Sequence, residues 1–254
     1  MSERLPSLVL LSGWSMPSTL FEPLCSALDG VDTRVLPLPG YEGPLEDLAL
    51  WQDPDALESD LLRRLPAGPV VLLGWSLGGT IALMLAKRAP ERVVGVVLLA
   101  SNPCFVARDQ WPGMDAVVFE QFVKGAESDM ALTLRRFQQL CCQGSPEVRS
   151  RARWLREQGR FNGDERALLP SLSLLARDHR PLLASLSQPH LSLLARDDAL
   201  VPVSLSDSLP GERVCIDGSS HLLLVDQPEA VAQQVKGFLQ RINAAYPGAP
   251  HVSG

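Results

Sequence analysis

Long hydrophobic runs, paired cysteines and an excess of positive charge are all missing from this sequence of 254 residues. No apolar stretch reaches the roughly 18 residues that a membrane-spanning helix needs. The five cysteines lack the spacing of a zinc site, and no cluster of His, Asp and Glu has ligand spacing. The formal net charge is −6, whereas nucleic-acid binders are normally basic. These absences argue against a membrane span, a metal centre and a nucleic-acid partner.

The start of the sequence also lacks the hydrophobic segment and cleavage site of a secretory signal. An odd number of cysteines without paired spacing favours reduced thiols. We therefore expect a cytoplasmic protein. Hydrophobic residues make up 46% and charged residues 20% of the chain, the composition of an ordinary globular protein. We expect a monomer that contains no metal and needs no cofactor.

Short apolar runs alternate with helical segments over the first hundred residues, as in a parallel sheet covered by helices on both faces. Strand-like runs vanish between residues 102 and 188, where helical periodicity and many arginines replace them. The alternation returns from residue 189. The sequence therefore predicts an α/β core formed by residues 1–101 and 189–254, interrupted by a helical lid insertion at residues 102–188.

Gly74-Trp75-Ser76-Leu77-Gly78 joins one of these apolar runs to a helical segment. Glycines on either side of a serine allow a strained strand-to-helix turn that lifts the hydroxyl clear of the sheet. We interpret Ser76 as a nucleophile. The alternative is a glycine-rich turn in which Ser76 only caps the helix.

A serine nucleophile needs a base, and the sequence has four histidines. His179 lies between charged residues and suggests an exposed surface position. His190 starts a strand, where a structural role is expected, and His251 lies in the tail. His221 follows a strand and precedes the last helix, and such loops at strand ends carry the chemistry of α/β sheets. His221 is therefore the candidate base.

The acid that orients the base should follow the preceding strand, where Asp197 and Asp198 are adjacent. Asp198 is favoured because the apolar segment after it can pack and hold the loop, but Asp197 stays open. The resulting chain order of serine, acid and histidine is that of α/β hydrolases. The sequence thus predicts an α/β-hydrolase fold with a Ser76–His221–Asp198 triad.

Two backbone N–H groups should stabilise the oxyanion that such a nucleophile creates. One is that of Leu77, directly after the serine. The other should lie in the loop after the first strand, and the N–H of Trp14 is the candidate. The alternative for Trp14 is an ordinary core aromatic.

The elbow, with its tryptophan before the serine, and the long run at residues 100–114 (ASNPCFVARDQWPGM) closely resemble the BioH family of pimeloyl-[acyl-carrier protein] methyl ester esterases. The resemblance implies hydrolysis of that methyl ester in biotin synthesis. It also implies Asp198 rather than Asp197 as the acid. One departure is Ser12, where the family usually has a histidine before the glycine.

The resemblance further implies which residues contact the substrate. They are Trp14, Ser76, Leu77, Phe137, Gln138, Gln139, Leu140, Cys141 and His221. The carbonyl oxyanion would lie at Trp14 and Leu77, and the acyl chain at the segment from Phe137 to Cys141.

Arginines are concentrated in one part of the predicted lid. Arg135 and Arg136 precede Arg149, Arg151, Arg153, Arg156 and Arg160, against only Glu147 and Glu157. For any single arginine a solvated helix face is the simpler interpretation. As a group they suit an acidic partner, and the resemblance implies acyl carrier protein. Arg136, Arg149 and Arg153 are the predicted contacts.

Three hypotheses for the function follow. The first is a carboxylesterase acting on the methyl ester of pimeloyl-acyl carrier protein through an acyl-enzyme. The second is a broad-specificity short-chain carboxylesterase with the same machinery. The third is a non-catalytic binding protein built on the α/β-hydrolase fold.

Overall fold

A six-stranded sheet forms the centre of the computed structural model, which describes residues 6–245. The strand order is β2-β1-β3-β4-β5-β6, and every pair of neighbours is parallel. The strands are β1 (Ser7–Leu11), β2 (Thr33–Val35), β3 (Val70–Trp75), β4 (Val93–Leu99), β5 (His190–Ala195) and β6 (Glu212–Ile216). The predicted α/β-hydrolase fold with a mostly parallel sheet is confirmed.

Ten α-helices occur in the described residues. They are α1 (Glu22–Ala27), α2 (Pro54–Arg64), α3 (Leu77–Arg88), α4 (Ala116–Ser128), α5 (Met130–Cys142), α6 (Val148–Gln158), α7 (Leu168–Ser173), α8 (Arg180–Ala184), α9 (Leu223–Asp226) and α10 (Pro228–Ala245). Short 3₁₀ helices cover Ser18–Phe21, Leu48–Trp51, Glu165–Ala167, Leu174–Ala176 and Val203–Asp207. Within residues 6–245, no helix has both the length and the hydropathy to cross a membrane.

The connections place helices on both faces of the sheet. The chain moves from β1 to β2 through α1 in one direction and from β3 to β4 through α3 in the other. Because crossovers between parallel strands are right-handed, α1 and α3 lie on opposite faces. The packing agrees, since α1 contacts α9 and α10 while α3 contacts α2 and α8.

The apolar runs of the sequence are the buried interior of this sheet. Leu10, Leu73, Val97 and Leu191 are in register across four strands, and each is fully buried. A parallel sheet covered on both faces leaves no strand face for polar side chains, which explains the unbroken apolar runs. The carboxyl ends of all the strands therefore meet at one edge, where loops emerge.

The segment between β4 and β5 contributes α4 to α8. Helix α4 packs on α5 and α7, and α5 packs on α6. Helix α8 instead packs against α3, which covers the sheet. That residues 102–188 form one lid stays a prediction, because α8, near the carboxyl-terminal end of this range, packs against the core helix α3. The name lid is used below for α4 to α7 and the segments that join them.

Candidate active site

Ser76 occupies a strained turn between β3 and α3. Its φ is 55° and its ψ is −118°, a conformation that costs a non-glycine residue about 1–3 kcal/mol. The peptide is held on both sides: the Ser76 N–H donates to the Leu99 carbonyl (2.9 Å), and the Ser101 hydroxyl donates to the Ser76 carbonyl (2.8 Å). Although Ser76 stands at the N-cap position, its side chain forms no capping hydrogen bond. The simple capping interpretation therefore does not describe Ser76.

Glycine at position 78 is required by the close approach of two backbones. A β-carbon there would overlap the carbonyl oxygen of Leu11 at the end of β1. On Gly74 a β-carbon would overlap the carbonyl of Gly78. Gly74 therefore allows the turn itself to close, and Gly78 allows the turn to pack against β1.

His221 and Asp198 form a buried pair at the same edge of the sheet. His221 Nδ1 lies 2.8 Å from Asp198 Oδ2, and both side chains are excluded from solvent. Asp198 Oδ1 accepts the backbone N–H groups of Leu200 (2.7 Å) and Val201 (3.0 Å). These two bonds hold the carboxylate with its other oxygen toward the imidazole. The carboxylate thereby selects the tautomer in which Nδ1 carries the proton.

The second imidazole nitrogen is the reactive one in this arrangement. His221 Nε2 is buried and has no hydrogen-bond partner among the described residues, so the Ser76 hydroxyl does not bond to it here. Catalytic hydrogen bonds are often long before substrate binds. Trp75 links the two loops, because its indole N–H donates to the His221 carbonyl (3.0 Å) and its ring lies 5.8 Å from the imidazole.

The structure brings Asp198, not its neighbour, to the histidine. Asp197 is exposed, and its backbone N–H donates to the Ser219 carbonyl. Asp198 is thus the carboxylate beside the histidine, and its role as the acid stays a prediction.

Two other histidines have structural positions. His179 was expected at the surface, and that was wrong: it is buried, with Nε2 2.9 Å from the Leu174 carbonyl oxygen. Burial lowers its pKa. His190 begins β5 and its Nε2 lies 3.2 Å from the Pro210 carbonyl oxygen. His251 lies outside the described residues.

The loop after β1 lies directly against Ser76. A β-carbon on Gly13 would stand 3.2 Å from the Ser76 β-carbon, a tight contact that would push the two segments apart by a few tenths of an ångström. The backbone N–H groups of Trp14 and Leu77 bond to no other described residue. That these two N–H groups bind an oxyanion stays a prediction.

Trp14 is also a core aromatic, so its two interpretations coexist. Its indole N–H donates to the Leu168 carbonyl (2.8 Å), and its ring makes edge contacts with Phe122 and Phe137 at 5.4 and 5.1 Å. These contacts join the oxyanion loop to the lid. Ser12, where the resembling family has histidine, is buried, and its hydroxyl has no partner among the described residues.

A narrow apolar pocket lies beside Ser76. Ser76 is its polar lining residue, and the rest are Trp14, Phe105, Met114, Phe119, Phe122, Phe137, Leu140, Leu172, Leu175 and Leu200. Five of these eleven residues come from the lid, namely Phe119, Phe122, Phe137, Leu140 and Leu172.

Only part of the predicted acyl-chain segment lines this pocket. Phe137 and Leu140 do, whereas Gln138, Gln139 and Cys141 do not. The Gln138 amide donates to the Gly159 carbonyl (2.9 Å), and Gln139 is exposed. Cys141 is fully buried, and burial raises the pKa of its thiol well above the usual range. Helical periodicity explains why Phe137 and Leu140 lie on the pocket side of α5, whereas Gln138 and Gln139 face away from it.

The arginines of the lid divide into two groups. Arg136, Arg149 and Arg153 are exposed, and no ion pair joins them to another residue between 6 and 245. Arg151 instead points inward, where its Nε donates to Asp226 (2.8 Å). The helical turn separates Arg151 from Arg149 and Arg153 on α6.

Several residues of the site were not predicted from the sequence. The pocket-lining Phe119 and Phe122 have the helical spacing of ordinary core residues, and Phe105 and Met114 lie in the segment before α4. Asp226 is buried beside the His221 loop, but directly before the last helix it looks like a capping residue. Among the described residues, no group of three or more His, Cys, Asp or Glu could hold a metal ion.

Fold and site together define an α/β hydrolase: a parallel sheet, a serine on a strained turn after β3, and an Asp–His pair on the loops after β5 and β6. Residues 8–234 match the model of the alpha/beta hydrolase family. Among solved structures, an esterase from Exiguobacterium antarcticum has a TM-score of 0.79 at 19% identity, covering 93% of this chain and 92% of that one. A bromoperoxidase from Bacillus anthracis also has a TM-score of 0.79, at 20% identity and 93% coverage of both chains.

Similarity in sequence identifies the family to which the chain belongs among the α/β hydrolases. The chain is 35% identical to the pimeloyl-[acyl-carrier protein] methyl ester esterase of Vibrio campbellii, covering 92% of this chain and 94% of the relative. The esterase of that name from Methylococcus capsulatus is 35% identical, with 94% and 96% covered. A bifunctional biotin-biosynthesis protein BioHC of Cellvibrio japonicus is 36% identical, but the chain spans only 49% of its length. The chain belongs to the pimeloyl-[acyl-carrier protein] methyl ester esterase family, and it is a carboxylesterase.

Proposed function

We propose that the enzyme hydrolyses the methyl ester of pimeloyl-acyl carrier protein and releases methanol. The observation that carries this proposal is the pairing of a fixed Asp198–His221 dyad with Ser76 at the mouth of an apolar pocket. The substrate is the one named for relatives that match the chain over nearly its full length. The role in biotin synthesis is the one in the name of the BioHC relative, of which the chain spans about half.

In the first half of the reaction, Ser76 Oγ attacks the ester carbonyl carbon while His221 Nε2 takes the hydroxyl proton. The resulting imidazolium is stabilised by the Asp198 carboxylate, which lies 2.8 Å from Nδ1. The tetrahedral intermediate collapses as the methoxy oxygen takes the proton from Nε2 and leaves as methanol. An acyl-Ser76 ester remains.

The negative charge of the tetrahedral intermediate falls on the former carbonyl oxygen. The N–H groups of Leu77 and Trp14 bind it, and the amino-terminal end of α3 adds its positive dipole. Removing one such donor typically costs roughly 100- to 1,000-fold in kcat.

Water completes the cycle by the same steps. His221 Nε2 takes a proton from the attacking water, and Ser76 Oγ receives it back as the acyl bond breaks. The products are a free carboxylate on the carrier-bound pimeloyl chain and the regenerated hydroxyl. No cofactor takes part.

The acyl chain would lie in the apolar pocket, with Phe137 and Leu140 on its lid side. Burying methylene groups there supplies about 0.8 kcal/mol each, so the pocket favours an extended chain over acetate. The carrier protein would contact Arg136, Arg149 and Arg153, which are exposed and unpaired in the described part of the chain. Such charges mainly raise the rate of encounter with an acidic partner.

We further propose that the enzyme acts as a monomer in the cytoplasm. The five cysteines are all free thiols, as expected in a reducing compartment. Among the described residues, the large exposed apolar side chains are Val117, Val118 and Val148. Three valines are too few for the apolar core of an obligate dimer interface.

The direct test is hydrolysis of pimeloyl-acyl carrier protein methyl ester, followed by mass spectrometry of the carrier. The wild type should produce the free acid, and S76A should not. Hydrolysis of small soluble esters without hydrolysis of the carrier-bound ester would instead identify a broad short-chain esterase. Failure of a fluorophosphonate to label Ser76 would identify a non-catalytic binding protein.

The carrier surface needs a separate test with a matched control. The triple variant R136E/R149E/R153E should raise KM for the carrier-bound ester roughly tenfold and leave a small soluble ester unaffected. The control, R63E/K87E/R213E, makes the same change of charge on exposed residues outside the lid. Equal effects of the two variants, or equal losses on both substrates, would contradict the proposed surface.

A further inference from the structure

Asp226 is a buried carboxylate that the proposed reaction does not use. Its side chain is only 1% exposed, and four donors surround it. Oδ1 accepts from the Ser145 hydroxyl (2.9 Å) and from Arg151 Nε (2.8 Å). Oδ2 accepts from the Ser220 N–H (2.9 Å) and the Ser220 hydroxyl (2.6 Å). Every donor comes from a segment beside the candidate active site.

Two of these bonds hold the backbone on which His221 stands. Ser220 immediately precedes His221, and its hydroxyl also accepts the N–H of Leu222 (3.2 Å). The Asp226–Ser220 pair therefore fixes the chain on both sides of the histidine. Because the imidazole must meet both Asp198 and Ser76, small rotations of this backbone would misplace Nε2.

The other two bonds come from the lid. Ser145 lies just before α6, and Arg151 lies on α6 itself. A buried carboxylate without a cationic partner is strongly unfavourable, and Arg151 supplies that partner for Asp226. Helix α6 also carries Arg149 and Arg153, on a different side from Arg151. One helix thus bears the proposed carrier contacts and holds the histidine loop.

We propose that Asp226 is a positioning residue for His221, held in place from the lid by Arg151. The proposal rests on the proposed role of His221 as the base. Loss of the Asp226 charge should slow proton transfer at Ser76 and leave binding of a small ester nearly unchanged. Loss of Arg151 should act through Asp226 and not independently of it.

Asp217 provides a matched control on the same loop. Its Oδ1 accepts from Arg196 Nε at 2.8 Å, the same atoms and distance as in the Asp226–Arg151 pair. However, the Asp217 side chain is 82% exposed, against 1% for Asp226. D226N and D217N therefore remove one charge from equivalent ion pairs, but only D226N disturbs the bonds to Ser220.

The assay measures kcat and KM for p-nitrophenyl acetate per Ser76 titrated with a fluorophosphonate. For D226N we expect kcat to fall roughly 10- to 100-fold with KM within about twofold, and for D217N we expect both within about twofold. R151M should lower kcat in the same direction, and R151K, which keeps the cation, should lie closer to the wild type. The double variant R151M/D226N should fall no further than D226N, because both changes break one unit.

Equal kcat for D226N and D217N, or a change confined to KM, would overturn the proposal. If D226N does not fold, R151M is compared with R196M in the same assay, and equal kcat for that pair would overturn it. Failure of the proposed function looks different, because the wild type would then hydrolyse the ester no faster than S76A at equal protein concentration, whatever the Asp226 variants do.

Discussion

Replacement of Asp198 by asparagine tests the proposed triad most directly, because the structure determines how the new amide must lie. Asp198 Oδ1 accepts two backbone N–H groups, those of Leu200 and Val201. An asparagine oxygen can keep both bonds. In the opposite orientation the amide NH₂ would face these two buried donors, and each unsatisfied N–H costs about 1–3 kcal/mol. The asparagine oxygen therefore stays at Oδ1, and its NH₂ faces His221.

This orientation reverses the tautomer of the histidine. The NH₂ group donates to His221 Nδ1, so the imidazole proton moves to Nε2, which can then no longer accept the Ser76 proton. In a serine triad the same change lowers kcat about 10⁴-fold, which corresponds to about 5 kcal/mol of transition-state stabilisation. We expect a loss of this size for D198N, with little change in KM for a small ester.

The assay is steady-state hydrolysis of p-nitrophenyl butyrate, with circular dichroism to confirm folding. D197N is the control, since Asp197 is adjacent but exposed and does not reach His221. It should retain wild-type kcat within about twofold. A D198N variant that keeps more than roughly a hundredth of kcat, or a D197N variant that loses as much, would refute the proposed acid.

Three further predictions concern the turn, the pocket and the response to pH. G78A should lower the free energy of unfolding by about 3 kcal/mol or more in thermal or urea melts, because its β-carbon overlaps the Leu11 carbonyl. The control G237A, on an open helix surface, should not destabilise the protein. L140W should fill the acyl pocket and lower kcat/KM for an octanoyl ester roughly tenfold or more, while an acetyl ester is spared; equal losses on both esters would place the chain elsewhere. Burial lowers the pKa of His179, so the unfolded state binds its proton first, and stability should fall as the pH drops below about 6.5. H179Q should reduce that loss in melts at about pH 7 and about pH 5, and an unchanged pH dependence would contradict it.

The sequence predicted those features that depend on residues close together in the chain. The strained turn at Ser76 needs only its neighbouring glycines and a flanking strand and helix. His221 and Asp198 are far apart in sequence, but each could be found from its position after a strand, because parallel strands end at one edge. The choice of Asp198 also had a local basis, since the N–H groups that hold its carboxylate belong to Leu200 and Val201.

Features that depend on packing between distant segments could be predicted from the sequence only in part or not at all. His179 lies between two charged residues, yet its ring is buried. The sequence-based prediction was wrong because the charges of the neighbouring residues do not show how this segment folds. Gln138 and Gln139 share a segment with Phe137 and Leu140, but the helix turns them away from the pocket.

Asp226 shows why such sites are hard to predict from a sequence. Its donors lie 6, 75 and 81 residues away along the chain, and they converge on one carboxylate only because the lid folds back over the histidine loop. By composition Arg151 belongs with the exposed arginines of α6, and only its position on the helix separates it from them. A charge that holds the base and a charge that attracts a partner are therefore alike in sequence. Burial distinguishes them, and the matched pair of Asp226 and Asp217 turns that difference into a measurable change in kcat.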